Sequence, residues 1–152
     1  MKKLLLSLAA LSVAAFSFSA SAASVSNPFN VKVILTTACK MSTITDVDFQ
    51  TYASLQTTAQ TSIGGAFTVT CTNSLPYTLK FVSDTGAATD SGTFPTVNLA
   101  YTLGLSAAGA SGSGVAQTYN VTGGMVAAQP GTCATASCTE TRTGAHTVFV
   151  VY

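Results

Sequence analysis

Past residue 22, apolar side chains recur at every second position in short runs, and no run follows the 3.6-residue period of a helix. Alternation turns one row of side chains toward a core and the other toward solvent, so it selects strands. The runs are rich in Val, Thr, Tyr and Phe and are bounded by Gly, Ser, Asn and Pro, as strands and their turns are. Strands are expected over 29–35, 66–71, 77–82, 98–105, 116–122 and 146–152, with a turn over 73–76. The stretches 83–95 and 106–114, rich in Gly, Ser and Thr, read as loops of one domain, because neither side is long enough to fold alone. The pattern predicts an all-β, antiparallel sandwich.

The compartment follows from the other end of the chain. Lys2 and Lys3, the apolar stretch 4–18 and the small-residue site Ala20-Ser21-Ala22 form a secretory signal peptide, 1–22, cut after Ala22. The apolar run is too short, and too soon followed by Ser and Asn, to make a good spanning helix. In an exported chain the four cysteines, Cys39, Cys71, Cys133 and Cys138, read as two disulfides. Three connectivities exist in principle. Cys133 and Cys138 share the loop PGTCATASC and pair most economically with each other, which leaves Cys39 with Cys71. Zinc is the competing use of these thiols, but it needs a second Cys pair or a His pair, and the chain has one His.

Charge is scarce. Only 7% of residues are charged, against roughly 25% in ordinary soluble domains. After the signal peptide, Lys32, Lys40, Lys80 and Arg142 face Asp46, Asp48, Asp84, Asp90 and Glu140, a net charge of about −1. No basic patch serves nucleic acid or anionic lipid, and no later segment is apolar enough to insert in a membrane. A surface of Thr, Ser, Ala and Gly suits faces covered by copies or partners; a small, secreted, Thr-rich domain explains it equally well.

Residues for chemistry are few. His146 has no Cys or carboxylate beside it in sequence and is expected at the surface or rim. No G-x-S-x-G elbow surrounds a serine; Ser106 lacks the second Gly at the right place. Asp46 and Asp48 fall on one face of a strand and fit a solvent-facing edge better than a carboxylate pair for glycoside hydrolysis or calcium. Asn120-Val-Thr122 matches the glycosylation pattern, which is common by chance. The expectation is no enzyme and no cofactor.

The two ends of the mature chain are strand-like and undefended. One starts with an alternating apolar stretch after a flexible leader, 23–28; the other stops in a strong strand with no polar tail. Neither carries Pro or clustered charge to blunt its edge, so each invites pairing with another chain unless the two pair within the domain.

The run FNVKVILTTAC ending at Cys39, then Asp46-Val-Asp-Phe49, the strand FTVTC ending at Cys71, the segment Leu99-Ala-Tyr-Thr-Leu103 and the closing GAHTVFVVY resemble the spore-coat-U-like pilins of the archaic chaperone–usher pathway. Gln50 stands where that family usually has Gly, and the Cys133–Cys138 loop lies outside its common pattern. The resemblance implies an immunoglobulin-like sandwich lacking its seventh strand, which a donor strand from another subunit completes. It implies an N-terminal donor extension over 23–35 with Phe29, Val31, Val33 and Leu35 as plugs, and a pilin domain over 36–152. It implies that Val148, Val150 and Tyr152 lie on the terminal strand as the chaperone-binding edge. The implied partners are identical or related subunits, a periplasmic chaperone and an outer-membrane usher, and the implied place is a pilus on the surface of a Gram-negative bacterium, in adhesion and biofilm formation. The alternatives are a free-standing secreted sandwich that binds a carbohydrate or receptor through its long Gly/Ser-rich loops, with Tyr77, Tyr101 and Tyr119 as candidate contacts although these three read better as core residues, and a spore- or cell-coat component.

Overall fold

The computed structural model describes residues 24–83 and 85–152; the expected signal peptide lies outside the described residues. By contacts the chain divides into two units, Met1–Ile34 and Leu35–Tyr152. The described part of the first, 24–34, joins no sheet, and Val25, Phe29, Val31, Val33 and Ile34 are all strongly exposed. The strand expected over 29–35 therefore has no ladder, because no other described segment supplies its hydrogen-bonding partners.

The second unit is all-β and antiparallel, and among the described residues no helix is long and apolar enough to cross a membrane. Its strands are β1 (Cys39–Met41), β2 (Val47–Asp48), β3 (Gln60–Thr61), β4 (Ile63–Gly64), β5 (Ala66–Cys71), β6 (Pro76–Phe81), β7 (Thr89–Phe94), β8 (Leu99–Leu105), β9 (Gly109–Ser111), β10 (Gln117–Met125) and β11 (Val148–Val151). The larger sheet runs β1-β5-β10-β8-β7, with β3 also on β10; a second runs β11-β6-β9; β2 and β4 form a small pair.

The core lies where the inward rows of these sheets meet. Phe67, Val69 and Cys71 of β5 point in, with Tyr101 and Leu103 of β8 and Tyr119, Val121 and Met125 of β10. Tyr77, Leu79 and Phe81 of β6 and Val148 of β11 close over them from the second sheet. Each fully buried side chain of this size contributes about 1.5–3 kcal/mol. The outward rows are small and neutral: Thr68 and Thr70 on β5, Thr118, Asn120 and Thr122 on β10, Thr102 on β8, and Thr89, Ser91 and Thr93 on β7. Tyr77, Tyr101 and Tyr119, the tyrosines that the binding-module alternative would use, are core residues, the place expected of them on pattern.

Two departures from the expected strands have one cause. The 83–95 loop contains β7, and β10 runs on to Met125, in both cases through glycine. Gly92 pairs across with Tyr101, and a Cβ on it would collide with the Tyr101 ring. A Cβ on Gly123 would stand 2.5 Å from Cζ of Phe49. Glycine lowers strand propensity, but here it makes the room in which an aromatic ring covers the backbone. The 106–114 loop likewise holds a short strand, β9, on the edge of β6.

Candidate functional site

Among the described residues the two main sheets end at β1 and β7 and at β9 and β11, and the two-residue β3 is a further short edge on β10. Native sheets blunt such edges by shortness, charge, proline or an inward-pointing charged residue. β1 has three residues and carries exposed Lys40; β9 has three and begins at Gly109, whose φ of 147° a side chain would resist. β7 is longer, but it turns Asp90 inward, where the carboxylate meets His146. β11 has none of these devices: it reads Val-Phe-Val-Val.

The register of β11 fixes which backbone groups are free. Val82 N donates to Thr147 O at 3.0 Å, so the pairs alternate from there, and Phe149 with Lys80 and Val151 with Thr78 are the hydrogen-bonded ones. Val148 and Val150 therefore aim their N–H and C=O groups away from β6, and among the described residues no strand meets them there. Their side chains share the inward row with Tyr152. That row is buried at Val148, half-buried at Val150 and 59% exposed at Tyr152, so the core opens toward the end of the chain. The three residues expected on the terminal edge thus stand on one face of it.

The residues expected to plug such an opening are unburied in their own molecule. Phe29, Val31, Val33 and Leu35 fall at every second position and so share one face of an extended chain, each at least 77% exposed. β1 follows directly and is fixed to β5 by the Cys39–Cys71 disulfide, between residues in register with Cα atoms 4.1 Å apart. The second expected bridge, Cys133–Cys138, closes an exposed loop. Both pairings are those expected, and they place the chain in an oxidising, non-cytoplasmic compartment.

His146 is at the rim, as expected, but it has partners that sequence could not reveal. Its Nδ1 donates to Asp90 Oδ2 at 2.6 Å and its Nε2 accepts from the Tyr101 hydroxyl at 2.6 Å, partners 56 and 45 residues away. This tautomer is the one that satisfies both contacts with an ionised Asp90. Partial burial pushes the Asp90 carboxyl upward, but the hydrogen bonds from His146 and the Ser91 amide outweigh it and hold the carboxyl below its ordinary range. The chain of groups ends in a phenol that is 5% exposed, beneath Gly92, so it ties β7, β8 and the approach to β11 together. A second buried polar link joins the sheets: Tyr77 donates to Gln117 Oε1 at 2.8 Å and accepts from the Tyr119 hydroxyl at 2.5 Å. Burial, and then the Tyr119 hydroxyl, push the Tyr77 phenol well above its usual range, so it stays neutral.

The remaining sequence candidates are accounted for locally. Asp48 accepts from the Gln50 amide at 2.7 Å and so holds Gln50 at φ 57°, a left-handed conformation in which glycine is at ease. Among the described residues no three metal-ligating side chains converge. A shallow trough on the outer face of β10, β8 and β7 is lined by Thr61, Thr89, Ser91, Thr102 and Thr122 over Gly104 and Gly124. The Thr102 and Thr122 hydroxyls there are already turned to the carbonyls of Gly124 and Gly104.

No family model, no curated protein and no solved structure matches this chain.

Proposed function

We propose that this chain is a structural, non-catalytic pilus subunit that polymerises head to tail, residues 29–35 of one copy completing the sandwich of the next beside β11. The observation that carries the reading is the coincidence, in one chain, of an unblunted edge and an exposed segment whose apolar side chains alternate. The resemblance to spore-coat-U-like pilins supplies the rest of the pathway. A periplasmic chaperone lends β11 a strand first, and an outer-membrane usher exchanges it for the leader of the incoming subunit, which is strand addition with pockets reading alternate side chains.

The energetics are adequate. Burying Phe29, Val31, Val33 and Leu35 is worth roughly 6–12 kcal/mol as an upper bound, and the free backbone groups of Val148 and Val150 gain partners. The donor segment leaves its own domain at β1, held by the Cys39–Cys71 bridge, so pulling on it loads a covalent anchor. A contact between two different surfaces of one chain does not close on itself, and so builds a fibre. The filament then stands on the bacterial surface and serves attachment and biofilm formation.

Sedimentation velocity tests the reading. The mature chain 23–152 is expected to form a ladder of polymers, and the chain 36–152 to be unable to extend one. A mature chain that stays monomeric and melts cooperatively without any partner overturns it, and leaves the free-standing module and the coat component, which share the fold without the exchange.

A further inference from the structure

The segment joining β10 to β11, residues 126–147, is tied over 126–130 to residues 52–56 and, at a few further points, to the end of the larger sheet. The Gln129 side chain takes the place of a neighbouring strand at Ala100, accepting from its N at 2.7 Å and donating to its O at 2.9 Å. Beyond it, two contacts grip the turn between β7 and β8. Thr132 N donates to Val97 O at 2.7 Å, and Glu140 Oε2 accepts from the amides of Thr96 and Val97 at 2.9 and 3.0 Å. Thr132 directly precedes Cys133, and Glu140 lies just past Cys138. The disulfide thus closes the two jaws of one clamp on Val97.

The ring itself stands off the body. Residues 132–139 are all exposed, and Thr135 Oγ1 donates within the ring, to Ser137 O at 2.7 Å. The other bridge is sheltered: Cys71 is 1% exposed and Cys39 packs against the core. Opening a disulfide requires a thiolate to reach one of its sulfurs, so access separates the two bridges.

We propose that Cys133–Cys138 is a thiol-responsive latch, opened by a dithiol reductant outside the cytoplasm, and that opening it releases Glu140 from the β7–β8 turn. In the first step a reductant thiolate bonds to one sulfur and expels the other as a thiolate, which takes a proton. The reductant's second thiol, as thiolate, then displaces the remaining cysteine, so the protein gains two electrons and two thiols while the reductant becomes a disulfide. With the ring closed, Thr132 holds Glu140 near its amides through a short path. With it open, the carboxylate must close the whole intervening loop to rebind, and it spends more time free. The stretch 141–145, exposed throughout, then hangs between the open ring and His146.

The test combines alkylation and hydrogen exchange on the purified exported chain, in whatever assembly it adopts, titrated with dithiothreitol. Cys133 and Cys138 are expected to take up alkyl groups at a concentration that leaves Cys39 and Cys71 unlabelled. Exchange at Thr96 and Val97 is then expected to rise up to roughly 30-fold, the change a ring this small implies, while Leu103 and Val121 in the ladder hold steady. The double variant Cys133→Ser/Cys138→Ser is expected to show the same local rise without reductant, and Glu140→Ala to show it with the bridge intact. Alkylation of all four cysteines together, or unchanged exchange at Thr96 and Val97 once the loop bridge is open, overturns the proposal. Neither result depends on whether the chain polymerises.

Discussion

Replacing Cys39 and Cys71 together with alanine is the perturbation whose size the structure sets most directly. The two cysteines are cross-strand neighbours separated by 32 residues, so the bridge removes a large loop from the freedom of the unfolded chain. In the chain-entropy model a loop of that length corresponds to about 3.7 kcal/mol at 25 °C. Loss of the buried Cys71 sulfur adds about 1 kcal/mol through the small gap it leaves. The folded state has little to offset this at β1, which pairs with β5 over three residues and is otherwise held by Thr72 N to Ala38 O at 3.0 Å and Ser42 N to Thr68 O at 2.9 Å. The double variant is therefore expected to lose about 4–5 kcal/mol of unfolding free energy, or more than 10 °C in Tm. Urea unfolding followed by circular dichroism, with variant and parent in the same assembly state, measures it. A loss below about 1 kcal/mol would mean that the bridge restrains neither β1 nor the unfolded chain, contrary to this expectation.

Other consequences follow from single positions. Gln50→Gly is expected to stabilise by about 0.5–1 kcal/mol in the same unfolding assay, since φ 57° strains a side chain there by more than glycine loses in chain entropy. Gly123→Ala is expected to destabilise by about 1–3 kcal/mol, because its Cβ has no room beside Phe49. Asp90 has a folded pKa below its unfolded value, so its contribution is present above the unfolded value, near pH 4, and disappears as pH falls through the folded one. The stability gap between the parent and Asp90→Asn should shrink as pH falls from about 4 toward 3, and a gap unchanged at pH 3 would contradict this assignment.

What was legible in the sequence was what depends on neighbours two residues away. β5 matches its expected bounds because Phe67, Val69 and Cys71 alternate with small polar residues. The two cysteine pairs were legible from spacing and from the expected signal peptide. β7 was hidden because its inward positions hold Asp90, Gly92 and Phe94, a row that makes sense only beside His146 and the Tyr101 ring. His146 looked idle for the same reason, its partners being distant in sequence. The stretch 29–35 has a clear strand pattern with no ladder: pattern reports a strand's faces, whereas pairing depends on what another segment brings. The Val148 and Val150 backbone groups became visible as free only once the register with β6 was known.

The claim that β11 accepts the leader of another copy is tested most directly at those two residues. Residue-resolved amide exchange on the chain 36–152, with and without a peptide of residues 24–37, reads the open edge itself. The peptide is expected to slow exchange at Val148 and Val150 by at least about 100-fold, and to leave Phe149 and Val151, already paired with β6, nearly unchanged. A peptide carrying Val31→Asp and Val33→Asp is expected to give no protection. Unchanged exchange at Val148 and Val150 under saturating peptide, or equal protection by the charged peptide, would contradict the claim.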